Sequence, residues 1–247
     1  MEKAGIPSHA ERPNQEVAGV PTPATHPHLS NVLAAAERLS TRLINPTLLI
    51  SLHRDLEGLK GKDGKSLARS AKQHALRWGI FTMVFAALEG FFNDALTIGP
   101  SRTRTLPVSP DKLRAAGDKL QVKIFTNDWG VRTVTPGRAS WSRPRWRTYI
   151  GSQDLRLYLG DLKSLRDRLS HGGDAASASN DSLALWPVSG GHSMSIMGVE
   201  GFIQATTDLA AQTILAFGGD IDQAPSWPEP QRSGLSAEKR PQLPLLA

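Results

Sequence analysis

Apolar residues recur at helical spacing over most of the chain, and glycine and proline mark the breaks. Val32, Leu33, Ala36, Leu39 and Leu43 return at steps of three and four and predict a helix from Ser30 to about Ile44. Pro46 interrupts the pattern, so a second helical piece is expected over 47–59, followed by a loop at Gly58, Gly61 and Gly64. The strongest pattern runs over 67–97. There Leu76, Ile80, Val84, Phe85, Leu88, Phe91, Phe92 and Leu96 make an apolar surface wide enough for the centre of a bundle. Ser109-Pro110 has the form of a cap followed by proline at the first helical position and opens a shorter helix to about Lys123. A further helix is expected over 153–171, capped by Ser152 and stopped by Gly172-Gly173. Leu155, Leu159, Leu162, Arg166 and Leu169 share one stripe of it, which sets a guanidinium where an apolar side chain would be expected. Leu183–Trp186 and Ser193–Ile196 flank Ser189-Gly190-Gly191 and predict a β-hairpin, before a last helix over 199–217.

These elements predict an all-α fold with a small β-hairpin insertion after the 153–171 helix. The ends read differently. Residues 1–29 carry five prolines and no apolar periodicity, and residues 221–247 are also proline-rich. Both are expected to be disordered or loosely attached, leaving 30–220 as a single domain with ample length for one core. The chain has no cysteine, so disulfides and thiolate metal sites are excluded. The N-terminal residues contain no apolar signal-peptide core. The longest apolar run, Trp78–Leu88, falls short of the about 20 residues of a membrane span. A cytoplasmic location without membrane contact is the expectation.

Charge adds a functional class. The net charge is +6, and the excess is concentrated: residues 101–150 hold 11 Lys and Arg against three Asp. Trp129, Trp141 and Trp146 are interleaved with these cations in a stretch, 124–147, that reads as loop. Arg143, Arg145 and Arg147 with Trp146 are candidates for nucleic-acid contact, since cations neutralise phosphates and aromatic faces stack on unpaired bases. The plainer reading is a solvated loop anchored by its tryptophans.

Several apparent motifs fail on context. Gly64-Lys65-Ser66 resembles the end of a phosphate-binding loop, but Leu59 stands where the first glycine belongs and a helix is expected in place of the preceding strand. Gly191-His192-Ser193-Met194-Ser195 lacks the closing glycine of a nucleophile elbow. His26-Pro27-His28 lies in the N-terminal arm, and no histidine pair falls at i, i+4. No metal or cofactor is expected.

The segment Leu165-Arg166-Asp167-Arg168-Leu169-Ser170-His171-Gly172-Gly173 carries the most chemistry. A helix-terminal His beside the negative dipole end, followed by glycine, is also an ordinary helix stop. Arg166-Asp167 followed by His171 after three further residues resembles the signature motif of the HEPN superfamily. The Ala86-Ala87-Leu88-Glu89-Gly90-Phe91-Phe92-Asn93-Asp94 stretch is similar to that family's early helix, where a Glu precedes aromatics. The resemblance covers 66–217 and departs from the nucleotidyltransferase-paired branch, whose tyrosine is replaced here by Gly173.

That resemblance implies a HEPN-like helical bundle acting as a dimeric, metal-independent endoribonuclease. A toxin or antiviral defence role follows from it, with RNA as substrate and a neutralising or defence-system protein as a further partner. His171 suits proton transfer near neutral pH, and Arg166 suits a phosphate oxygen or the charge of the transition state. Asp167 either orients one of them or closes a salt bridge. Glu89 either pairs with Arg166 or lies exposed. Arg168 is an auxiliary phosphate contact or, more simply, a surface charge. Five residues along a helix leave a net offset of about 140°, so the pair converges only at a helix end or across a two-fold axis. The alternative function is a non-catalytic nucleic-acid-binding or partner-interaction module.

Overall fold

The computed structural model describes residues 26–61, 64, 70–97, 106–136, 144–188 and 190–246. It is mostly helical. Among the described residues the elements run α1 (Leu29–Gly58), α2 (Ser70–Leu96), α3 (Pro110–Lys119), β1 (Gly130–Thr135), β2 (Arg145–Ile150), α4 (Ser152–Ser170), β3 (Trp186–Val188), β4 (Gly191–Ser193) and α5 (Ile196–Ala216). Gly64-Lys65-Ser66, the 66–69 helix start, Gly99-Pro100, Trp141 and Arg143 involve positions outside the described residues.

Helix α2 is the centre of the core. Ile80, Phe81, Val84, Phe85, Leu88, Phe91 and Phe92 are fully buried, with Val32, Leu39 and Leu43 of α1, Leu159 and Leu162 of α4, and Phe202 and Leu209 of α5 completing the cluster. By length and composition Lys72–Leu96 would suffice to cross a membrane, but here its apolar face is committed to this core.

Helix α1 is one helix where two were expected. Pro46 sits inside it and is buried. Proline removes one ladder hydrogen bond, yet the apolar face passes through it with Leu43 and Ile50 fully buried on either side. The hydroxyls beside it back-bond to the helix: Thr47 Oγ1 donates to the Ile44 carbonyl at 2.7 Å and Ser51 Oγ to the Thr47 carbonyl at 3.3 Å.

The expected loop over 124–147 is also corrected. β1 and β2 pair antiparallel in the register Gly130↔Ile150 to Thr135↔Arg145. The alternating Val131, Thr133, Thr135 and Thr148, Ile150 supply β-branched positions that the arginines and glycines obscure. The second hairpin exists but is shifted, with β3 and β4 pairing Trp186↔Ser193 to Val188↔Gly191. Helix α3 ends four residues early, at Lys119, because Leu120 and Gln121 turn the chain and Gln121 takes φ +59°.

Helix α5 lies against β1. Gly201 permits the approach: a Cβ there would press on the Val134 amide and come 2.9 Å from Thr133 Oγ1. Gly201→Ala is expected to destabilise the fold by about 1–3 kcal/mol through overpacking, read as a lowered urea midpoint. An unchanged midpoint would mean that β1 yields at no cost.

The C-terminal segment is the largest correction. Residues 221–246 pack on the body instead of trailing from it, with three 3-10 turns and a fully buried Leu243. Arg232 pairs with Asp55 of α1 at 2.6 Å, and Glu200 of α5 accepts from Ser233 Oγ and from the Gly234 amide at 3.2 Å. Proline-rich composition hid this because the attachment is made by scattered contacts without periodicity, Trp227 and Leu245 on the core and Arg232 on Asp55, whose partners lie far away in the chain. Residues 1–25 of the N-terminal arm lie outside the described residues.

Candidate functional site

Helix α4 carries the Arg–Asp–His segment and starts from Gly151, at φ +90°, which turns the chain out of β2. It remains helical through Ser170. His171 caps it, its amide donating to the Asp167 carbonyl at 3.1 Å. Gly172 then adopts φ +67°, and the Gly173 amide donates to the Arg168 carbonyl at 2.9 Å. This is the left-handed glycine stop the sequence predicts.

Arg166 turns inward from α4 to α2. Its Nη2 pairs with Glu89 Oε1, and its Nη1 lies 3.0 Å from Asp167 Oδ1. The guanidinium carbon sits 5.0 Å from the centroid of the Phe85 ring, within cation–π range. Its Nε is buried without a hydrogen-bond partner. The apolar stripe of α4 therefore accommodates an arginine because Glu89 and Phe85 of α2 receive it. Asp167 takes a second cation, Lys163, one turn back. Burial pushes the Glu89 carboxyl above its usual range, and the Arg166 charge only partly opposes this.

His171 is exposed, and among the described residues its imidazole has no hydrogen-bond partner. The helix continues unbroken past Arg166 to Ser170, so the five-residue offset of about 140° persists. One chain thus brings together Glu89, Arg166 and Asp167 and leaves His171 apart, on the solvent side. Arg168 is exposed and has no carboxylate partner among the described residues.

The basic segment is built into the fold. Trp129 is buried and stacks on Phe125 at 5.0 Å. Arg132 is paired with Asp208 of α5. The Trp146 indole donates to the Ser236 carbonyl at 3.0 Å, and the Arg240 guanidinium stands 5.7 Å from its ring, so the C-terminal segment engages it. Arg147 donates to the Ser182 carbonyl at 3.2 Å and lies 4.6 Å over the Tyr149 ring. Arg145 is exposed at the start of β2.

Sequence reasoning assigned no role to two residues that fix this region. Asp161 of α4 is buried and accepts from the Ser182 amide at 2.7 Å and its hydroxyl at 2.6 Å. Ser182 in turn receives the Tyr149 hydroxyl at 2.8 Å, and burial pushes that phenol up to about 12. Asn93, four residues after Glu89, bonds the Leu106 amide and carbonyl at 2.7 and 3.2 Å and pins the approach to α3. An acid facing inward on the 155–159–162 side of α4 was the available signal for Asp161.

His26 donates to the Leu120 carbonyl and accepts from the His28 amide, so this pair anchors the start of α1. Among the described residues no group of three or more His, Asp or Glu is placed to hold a metal. No family model matches the chain, and no curated protein or solved structure matches it either.

Proposed function

We propose that the protein is a HEPN-like, metal-independent endoribonuclease that cleaves RNA through His171 and Arg166, in a toxin or defence setting. The observation that carries this reading is the Arg166–Glu89 pair, in which two separate motif-bearing helices meet at the arginine of the Arg–Asp–His segment. Exposure of His171 at the helix end supports it, since a proton-transfer group must reach substrate. In this chemistry the RNA 2′-OH loses its proton to His171, and the 2′-oxygen bonds to phosphorus. The bond to the 5′-oxygen breaks, and that oxygen takes a proton from a second acid. Arg166 neutralises charge on the phosphorane oxygens.

Because the two side chains diverge on α4, the reading requires a homodimer in which the second copy completes the cleft. Ile44, Leu48 and Leu52, exposed at steps of four along α1, supply apolar surface for self-association. A second reading is favoured by the saturation of Arg166 by Glu89 and Asp167: a binding or partner-interaction module in which the arginine is a structural clamp.

The test is incubation of the purified full chain with varied single-stranded RNAs in EDTA. Products ending in 2′,3′-cyclic phosphate and 5′-OH, absent with His171→Ala, are expected. Intact RNA at concentrations where the protein is dimeric would refute the enzymatic reading.

A further inference from the structure

Strand β2 and the β3–β4 hairpin enclose a groove of about 590 Å³. Sites for small ligands typically span about 300–1,000 Å³. Arg145, Arg147 and His192 line the groove, and no Asp or Glu does. This sets it apart from the other anchored arginines: Arg54, Arg132 and Arg166 each face a carboxylate. Among the described residues neither Arg145 nor Arg147 has one within salt-bridge distance. Two guanidinium groups without a carboxylate partner among the described residues, beside a half-buried imidazole, give the groove a positive potential that suits an anion.

The arginine nearer the wall is held in advance. Arg147 is fixed by the Ser182 carbonyl and the Tyr149 ring, and Ser182 is itself locked by the buried Asp161 of α4. One guanidinium nitrogen is spent on this anchor, and the others remain available as donors.

Leu183, also in the lining, is anomalous in two ways. It is 61% exposed, and its φ is +62°, in the left-handed region that a side chain of this kind rarely occupies. Folding alone would favour glycine or asparagine there. A bulky apolar side chain held outward beside two cations provides an apolar contact against which the face of a base can pack, next to donors for the phosphate.

We propose that this groove is a nucleotide subsite, in which Arg145 and Arg147 bind a phosphodiester of single-stranded RNA and Leu183 supports the attached base. The inference rests on the RNA reading above and adds where the strand runs. Asp161, which anchors the groove wall, lies ten residues before His171 on α4, or about 15 Å along the helix axis. The subsite therefore grips a nucleotide away from the scissile bond, and it governs affinity and strand choice.

The test is fluorescence anisotropy of an end-labelled single-stranded RNA, measured over a salt series. It uses the full chain carrying His171→Ala so that no RNA is consumed. Adding Arg145→Ala is expected to weaken binding about fivefold and to reduce the salt slope by about 1. Adding Leu183→Gly is expected to weaken binding about threefold, less than the loss of an aromatic stacking platform. Glycine suits the positive φ, so this variant keeps its melting temperature and any lost binding is not lost folding. Binding by the parent that neither substitution alters would overturn the subsite and leave the RNA reading intact. Absence of RNA binding at low salt in every form would overturn both.

Discussion

Asp208→Ala is expected to cost about 3–5 kcal/mol of folding free energy, the range for removing one partner of a buried, hydrogen-bonded ion pair. Asp208 is 1% exposed and holds Arg132 through both carboxylate oxygens, with Nη2–Oδ1 at 2.6 Å. It also accepts from the Arg132 amide at 2.7 Å and from Gln204 Nε2 at 2.7 Å. Truncation strips four donors of their acceptor and leaves a guanidinium only 18% exposed without a counter-charge. Asp208→Asn keeps part of the acceptor geometry and is expected to lose less, about 1–3 kcal/mol. Urea denaturation of the two variants at matched slope measures both. A loss below about 1 kcal/mol in the alanine variant would show that Arg132 finds water and that the pair does not hold β1.

The consequence extends beyond stability. Asp208 belongs to a row, Glu200, Gln204, Asp208 and Gln212, spaced by four along α5. Gln212 donates to the Gly130 carbonyl at 2.6 Å and accepts from the Gly130 amide at 2.9 Å, so with Asp208 it satisfies the free edge of β1. Glu200, at the other end, holds Arg54 of α1 at 2.9 Å and the Ser233–Gly234 backbone and hydroxyl. A helix face thus replaces a third strand for a two-stranded sheet and fastens the C-terminal segment. Strand β2, with Arg145 and Arg147, hangs on β1, so loosening Asp208 also loosens the basic groove.

That polar row shows where the sequence was readable and where it was not. The helix-ending glycines after His171, the Ser109-Pro110 start and the apolar face of α2 each follow from local chemistry that acts within a turn or two, and each appears as expected. The row on α5 was hidden by its neighbours. Val199, Phe202, Ile203 and Leu209 explain the helix without it, and a buried polar residue declares itself only once its partner is known. Gly130 and Arg132 are such partners, some 76–82 residues away. The hairpin of β1 and β2 was missed for a related reason: its edge hydrogen bonds are made by side chains of α5, which no strand pattern records. The Arg166–Glu89 pair lay between. Each residue stood out on its own helix, but their meeting depends on how α2 and α4 pack, which spacing within either helix does not fix.

Substitutions at that pair are expected to separate folding from cleavage if the nuclease reading holds. Arg166→Ala should lower cleavage by about 10²–10³, the loss seen on removing one group that stabilises transition-state charge. Glu89→Gln is the sharper variant. Burial raises the Glu89 carboxyl above its ordinary value despite Arg166. A carboxyl raised on folding contributes stability below its unfolded pKa, and that contribution is lost as pH rises through the folded value. Above that range the ionised Glu89 contributes less to folding than its protonated form does. Glu89→Gln should keep or raise the melting temperature there. Cleavage should nonetheless fall, because Arg166 loses the charged anchor that fixes its guanidinium at the surface of α2. The rate–pH profile supplies a readout that a merely structural role would not move. As pH falls through the raised value, the wild-type chain loses the same anchor by protonation, adding to the acid limb that His171 imposes as proton acceptor a second step that the glutamine variant lacks. Parallel loss of stability and cleavage in Glu89→Gln, with the acid side of the profile unchanged from wild type, would make the pair a structural clamp and leave Arg166 without a role in the reaction.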